Sequence, residues 1–442
     1  MKKIIKNSIK YVGIYSVTII IFIILLLISS AFPSKVIERN VKKSSDILLK
    51  ETKYKEIYVP YKFINISMDN QTDALMLNTA YSIDNSSPLY SAFVARKNYI
   101  PGKTQQISEE KVGELDFDKK YKELNQVKEL NDTINGEVLE SFEYARYWHG
   151  YLTVIRPLLI LFDINVIRVI FRIIFTVLVI ILLYLIYKKI DLITAIIFFI
   201  GLTAVEYWYI GTSLQGSFIF FIMMISTIII LLQYEKIKSF STFFFIIGML
   251  TNFFDFLTVP ILTLGIPLII YYLLKQKQDK NTNIKELFIF SIVWGIAYLS
   301  TWVGKWILLN VLYNKNIFEV VINQIIYRSS NISYGEPISY FKILYINYIW
   351  IIGTISIELL VVYILKMIKF LYSKNEKISF NTNKNLIPFF IIAIMPFIWY
   401  GVIKNHSYNH SFFTYRNLLL TIIGVSILFK KMINERSFKW KY

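Results

Sequence analysis

The chain of 442 residues holds three histidines, His149, His406 and His410, and each sits among arginines and aromatic residues. Tyr144 to Leu152 reads YARYWHGYL, and Arg156-Pro157 follows closely. A guanidinium matches the oxygens of a phosphate in a two-point fork, and an imidazole exchanges a proton near neutral pH. Arg146, His149 and Arg156 therefore suit recognition of a phosphate. A structural alternative is an aromatic belt whose arginines reach out to lipid headgroups. That belt accounts for Tyr147, Trp148 and Tyr151 better than for the His-Gly and Arg-Pro pairs.

Lys404 to His410 reads KNHSYNH, with Arg416 beyond it. The four-residue spacing puts His406 and His410 on one face of a helix or in one tight loop. Such a pair could ligate a divalent metal if carboxylates completed the site, or bind phosphate when protonated. No HExxH-like pattern accompanies it, so phosphate or sugar binding is the preferred reading over metal, with a plain polar loop as the alternative.

Carboxylates supply the other half of any acid–base chemistry. Asp69 and Asp73 stand four apart in SMDNQTD, just before the apolar ALML. On a helix they share one face, where one holds a cation or polarises a group and the other accepts a proton. The plainer reading is a helix N-cap. Glu206 in VEYWY and Asp255 in NFFDF interrupt apolar runs. Ionisable groups in such runs are costly unless paired or hydrated, which makes them functional candidates. The structural alternative is an ion pair with Arg146, Arg156 or Arg416, and Arg168 and Arg172 are further partners in reach. Glu358 is expected to pair with Lys366.

The elements that must position these residues are membrane spans. Hydrophobic residues make up 55% of the chain and aromatics 17%, in repeated apolar runs near the length that crosses about 30 Å of hydrocarbon. The pattern predicts an all-α, polytopic integral membrane helix bundle of about ten spans. They fall at 11–32, 166–187, 192–208, 214–232, 240–252, 257–274, 286–309, 346–365, 386–403 and 414–430. Lysines cluster after every second span, at Lys188–Lys189, Lys236–Lys238, Lys275–Lys285, Lys366–Lys384 and from Lys430 onward, while the turns at 209–213 and 252–256 hold no lysine or arginine. That is the positive-inside pattern, with both termini cytoplasmic. It also explains the formal charge of +18 without nucleic acid. With no cysteine there is neither a disulfide framework nor a thiolate metal site. The richness in Ile, Lys, Asn, Phe and Tyr points to an AT-rich bacterial genome.

The domain reading follows. Residues 1–32 form an uncleaved anchor, because Ala31-Phe32-Pro33 is a poor signal-peptidase site. Residues 33–150 form a large extracytoplasmic first loop, with a charge-rich, helix-forming stretch from Glu109 to Glu143. Residues 151–430 form the multi-span domain, and 431–442 a basic cytoplasmic tail. Tyr151 to Phe162 is apolar but too short to span, and Pro157 interrupts it. Near 316–328 an amphipathic pattern predicts a helix lying on the outer interface.

This arrangement resembles the GT-C superfamily of polytopic membrane glycosyltransferases. The resemblance is architectural: an N-terminal anchor, a first outer loop with acids, juxtamembrane helices and a basic site on the outer face. It implies a polyprenyl-phosphate-linked sugar donor and a glycan or lipid acceptor at the outer face of a bacterial cell membrane. By the same resemblance the catalytic base falls on Asp73 or Asp69, and phosphate contacts on Arg146, His149, Arg156, His406, His410 or Arg416. The family's familiar members carry adjacent acids or an Asp-x-Asp pair; here the acids are four apart. A transporter or flippase of lipid-linked glycans would use the same cations, and an assembly scaffold would need none of these residues.

Overall fold

The computed structural model describes residues 2–57, 66–100, 125–136, 140–278, 280, 282–333, 335–351 and 385–434. It is mostly helical. The long apolar helix α1 (Lys2–Ser30) leads into a polar segment. This segment contains α2 (Glu38–Glu51), β1 (Tyr54–Ile57), β2 (Ile66–Asp69), α3 (Asn70–Tyr81), α4 (Pro88–Val94), β3 (Arg96–Tyr99), α5 (Gln126–Asn135) and β4 (Glu140–Glu143). The bundle follows, with α6 (Leu152–Leu161), α7 (Ile164–Lys189), α8 (Leu192–Ala204), the single turn α9 (Tyr207–Ile210), α10 (Leu214–Gln233), α11 (Phe240–Phe254), α12 (Leu262–Lys277) and α13 (Ile284–Tyr313). After it come α14 (Phe318–Ser329), β5 (Ile332–Ser333), β6 (Glu336–Pro337), α15 (Tyr340–Ile349), α16 (Ile387–Val402), the short α17 (Lys404–Asn409) and α18 (Ser411–Thr414), and α19 (Leu419–Asn434).

Among the described residues, five helical segments are long and apolar enough to cross a membrane: Ser8–Ser30, Ile164–Lys189, Leu214–Gln233, Ile284–Tyr313 and Ser411–Lys431. Several other expected spans are shorter helices. The run at 192–208 stops at Ala204, because Glu206 takes a left-handed backbone (φ 49°) and turns its carboxylate to Tyr415. The run at 257–274 starts only at Leu262, after a turn organised by Asp255 and Pro260. The rest of 346–365 beyond 351, Glu358 and Lys366, the charge-rich stretch before 125 and the tail beyond 434 lie outside the described residues.

Polar side chains set the starts of these helices. Asp163 accepts from the amides of Asn165 and Val166 at the start of α7, Ser213 caps α10 and Ser239 caps α11. Each cap satisfies amides that the first helical turn leaves without a carbonyl partner. The polar segment adds two antiparallel two-stranded ribbons, β1–β2 and β3–β4, and β5–β6 makes a third beside α17. A helix, α14, forms where the amphipathic pattern placed one, with Ile322, Ile325 and Ile326 exposed.

Two adjoining hydrophobic cores hold the molecule. One fills the bundle between α7, α8, α10, α12, α16 and α19. The other joins the polar segment to the membrane helices: Val41, Leu77, Phe93 and Leu130 share it with Phe22, Trp148, Ile155, Phe253 and Leu309. The described residues between 33 and 150 are therefore packed onto the bundle. The lysine-rich end is internally connected as well: Lys10 donates to Thr242 at 2.7 Å, Lys277 to the Lys189 carbonyl at 2.9 Å, and Lys430 to Asp191.

Two arginines fasten the polar segment. Arg156 is fully buried and donates to the carbonyls of Ala80, Ser29 and Phe32 at 2.9, 2.6 and 2.8 Å, with its guanidinium over the Phe32 ring. Arg168 on α7 pairs with Glu51 at 2.8 Å and Asp73 at 2.9 Å, and donates to Asn70 at 2.7 Å. The other Asp73 oxygen accepts the Leu214 amide, at 3.0 Å, at the first turn of α10. Removing one member of a buried ion pair leaves the other charge unsolvated, at a cost of about 3–5 kcal/mol. Arg168→Met is expected to lower the melting temperature of the detergent-solubilised protein sharply, whereas Arg172→Met, with no ion pair among the described residues, leaves it nearly unchanged.

Candidate functional site

The Tyr144–Tyr151 loop is pinned from two sides. The Trp148 indole donates to the Thr301 carbonyl at 2.7 Å, and the Trp306 indole to the Arg146 carbonyl at 3.0 Å, so α13 holds the middle of the loop at two points. The Gly150 amide donates to the Phe253 carbonyl at 2.9 Å at the end of α11. A Cβ on Gly150 would lie 2.5 Å from that oxygen, so the position requires glycine. His149 adopts a left-handed backbone, φ 57°, which is rare for a residue with a side chain. The His-Gly pair thus has a backbone reason that an aromatic belt does not supply.

Arg146 stacks over Tyr144, 4.4 Å from the ring centroid, and donates to its hydroxyl at 2.7 Å. His149 Nε2 donates to the Tyr144 carbonyl at 2.7 Å, which leaves Nδ1 as the unprotonated nitrogen. Nδ1 is buried and has no partner among the described residues. Burial, then the neighbouring charges of Lys305 and Arg146, hold the His149 imidazole well below its ordinary pKa.

The second pair is brought to the same region by α14, the β5–β6 ribbon and α17. Asn405 donates to the Ile332 carbonyl at 2.6 Å and Ser333 to Asn409 at 2.6 Å, which clips the ribbon over α17. This brings Arg328, near the end of α14, against Nδ1 of His406. His406 Nε2 donates to the Leu257 carbonyl at 2.7 Å. The His406 and His410 rings stack with centroids 4.5 Å apart. Burial and the charge of Arg328 push His410 down to about 3, and burial, His410 and Arg328 push His406 well below its usual range. Arg146 acts on all three histidines, so the two sequence-predicted clusters form one buried cationic region.

Asp255 follows α11 and accepts from the Thr258 amide and hydroxyl, both at 2.8 Å, and from Tyr298 at 2.8 Å. It is satisfied by hydrogen bonds rather than by an arginine. The turn it organises carries the Leu257 carbonyl that holds His406, so Asp255 positions the histidine.

Of the two first-loop acids, only Asp69 lines a cleft. The cleft is walled by Asp69, Thr212, Gln215, Thr258, Phe412 and Arg416, among others. It shares walls with the cationic region: Thr258 is the Asp255 partner, and the Phe413 ring, also on the cleft, lies 5.9 Å from His406 and 5.4 Å from His410. Asp69 caps α3, accepting from the Thr72 amide at 3.0 Å and hydroxyl at 2.6 Å, so the capping reading holds. With a further backbone bond from Gln71, these still leave acceptor capacity on a carboxylate, which has about four lone-pair sites. Burial raises the Asp69 pKa against those bonds, and raises Asp73 to about 6 despite Arg168. Asp73 is held in the Arg168 network, and Arg156 is spent on backbone carbonyls away from the cleft.

Arg328, Tyr298 and Lys305 belong to this region and were not singled out in the sequence. An ionisable residue inside the 286–309 run was the available signal for Lys305. Among the described residues no group of three or more His, Asp or Glu side chains is placed to hold a metal ion, and both His406 nitrogens are engaged. No protein-family model matches the chain, and comparison with curated proteins and with solved structures finds no match.

Gly150→Ala is expected to force the Phe253 carbonyl away, break the Gly150 hydrogen bond and cost about 1–3 kcal/mol as overpacking. A lower melting temperature in Gly150→Ala, with no change in a Gly13→Ala control where a Cβ meets nothing within 4 Å, checks this.

Proposed function

We propose that this chain is a membrane glycosyltransferase of the GT-C type, moving a sugar from a polyprenyl-phosphate donor to a cell-surface glycan or lipid. The observation that carries the reading is the sharing of walls between the Asp69–Arg416 cleft and the buried cationic region of Arg146, Arg328 and the three histidines. Attack of an acceptor hydroxyl on the sugar C1 forms one C–O bond and breaks the bond from C1 to the phosphate oxygen. The hydroxyl proton needs a base, and the departing phosphate needs positive charge. Asp69 supplies the base, since burial raises its pKa and it faces the cleft. Arg416 and the cations beyond Phe413 receive the phosphate. Asp73 positions the α3 helix and Asp255 positions His406.

The ten-span topology, with a large outer first loop and cytoplasmic termini, is part of the same proposal. The meeting of Lys10, Lys277 and Lys430 contacts at one end supports it. Because the chain lacks cysteine, single cysteines report sidedness directly. Ser87→Cys is expected to react with a membrane-impermeant maleimide in intact cells, and Lys238→Cys only after permeabilisation; the reverse result would invert the topology.

One observation favours a lipid-glycan transporter instead: Lys305 puts a cation deep within a spanning helix, where a translocation path would need one. Surface-glycan analysis in a deletion strain separates the readings. Asp69→Asn, present in the membrane at normal levels, is expected to lose the sugar while Asp69→Glu retains part of it. The acidic limb of the transfer rate is expected above the ordinary aspartate value of 3.8, because burial raises this group. An Asp69→Asn strain with unchanged glycan removes the base assignment and leaves transport as the better account.

A further inference from the structure

Lys305 is fully buried, and its Nζ has no hydrogen-bond partner among the described residues. It lies about two turns before the end of α13, roughly 12 Å along the axis at 1.5 Å per residue. Lysines at such depths ordinarily extend toward the interface along their alkyl stem. This one is fully buried, and its charge acts on His149 of the Tyr144–Tyr151 loop. Thr301 and Trp302, four and three residues earlier, share its helix face. Thr301 receives the Trp148 indole and Trp302 packs on Tyr147 with ring centroids 5.9 Å apart. Trp306, next in sequence, donates to the Arg146 carbonyl.

Three buried polar atoms of this neighbourhood have no hydrogen-bond partner among the described residues: Lys305 Nζ, whose charge acts on His149, the Trp302 indole nitrogen and His149 Nδ1. Two of the three are donors, and Tyr147 touches the rings of both His149 (6.2 Å) and Trp302 (5.9 Å). Buried donors are almost always satisfied, and an uncompensated ammonium in an apolar interior is costly. Among the described residues no ion pair reaches Lys305, and Asp255 has both oxygens engaged by Thr258 and Tyr298. The surrounding charges that do act here, Arg146 and Lys305 on His149, are of one sign.

We propose that Lys305, with Trp302 and His149, forms an interior anion-binding site that takes a phosphate or diphosphate group. The ammonium and the indole donate to phosphate oxygens, and His149 Nδ1 accepts from a protonated one. The site lies behind the Tyr144–Tyr151 loop, distinct from the Asp69–Arg416 cleft. It deepens the transferase reading but does not need it, because its test reads anion binding and not sugar transfer.

The test uses the purified full-length protein in detergent, with melting temperature as the readout. The probes are inorganic pyrophosphate, a short-chain prenyl phosphate, and the corresponding prenyl alcohol. Wild type is expected to be stabilised by one or both phosphates and not by the alcohol. A response to pyrophosphate identifies a free-anion site, and a response to prenyl phosphate alone identifies a lipid headgroup site. Lys305→Met removes the charge at similar length. Since it relieves an unpaired buried charge, it is expected to melt no lower than wild type without ligand, yet to bind phosphate about tenfold or more weakly, as loss of a charge-assisted hydrogen bond implies. Lys342→Met, an exposed control, keeps the full response. His149→Asn, which tolerates the left-handed backbone, is expected to weaken the response without unfolding the loop. Three results overturn the proposal: no phosphate response in wild type, an undiminished response in Lys305→Met, or a Lys305→Met protein that melts well below wild type, which would show the lysine to be structurally paired.

Discussion

The two oxygens of Asp73 hold the molecule in register. One meets Arg168 on a membrane-spanning helix, and the other accepts the first amide of α10, at Leu214. Both bonds are buried, where the loss of water makes an unsatisfied carboxylate expensive. Together they fix the start of α3 against the start of α10, and so place Asp69, the cap of α3, across from Thr212, Gln215 and Arg416. Without that double attachment the cleft has no defined width. Arg156 makes a parallel attachment by tying the ends of α1 and α3 to α6 through three carbonyls, using donors that geometry fixes in a plane.

A second constraint is the gathering of cations at one end of an apolar bundle. Arg328 and His406 share a proton contact, Arg146 stacks over two tyrosines, and His149 is locked in a left-handed turn by the Gly150–Phe253 contact. These groups are held by backbone carbonyls and aromatic faces. In the proposed reaction such an arrangement would place preorganised positive potential where an anion emerges from the breaking bond. Burial keeps the histidines neutral near pH 7, so the arginines carry the charge.

Much of this was legible in the sequence. The apolar runs identified the helices, and the rarity of histidine drew attention to two stretches that do meet in space. The capping alternative for Asp69 was readable from SMDNQT and is realised alongside its place on the cleft. Other features were not legible. A carboxylate in an apolar run, such as Asp255, reads as a charge awaiting an arginine, yet two local hydrogen bonds from Thr258 and one from the distant Tyr298 satisfy it. Arg156 reads as a phosphate ligand because its backbone partners come from residues 29, 32 and 80, far away in the chain. The short length of α8 depends on Glu206 finding Tyr415 more than two hundred residues later. Tertiary contacts of that range leave no local pattern.

The central claim is that the cationic region and the Asp69 cleft receive the phosphate and sugar of one lipid-linked molecule. The most direct measurement is an experimental structure of the full chain with a prenyl-phosphate sugar or its unreactive analogue in a lipid nanodisc. The account predicts phosphate density within hydrogen-bonding distance of Arg416 or Arg328, with the sugar in the cleft beside Asp69. Phosphate density elsewhere on the bundle, with the cleft filled only by solvent or by its own side chains, would contradict it.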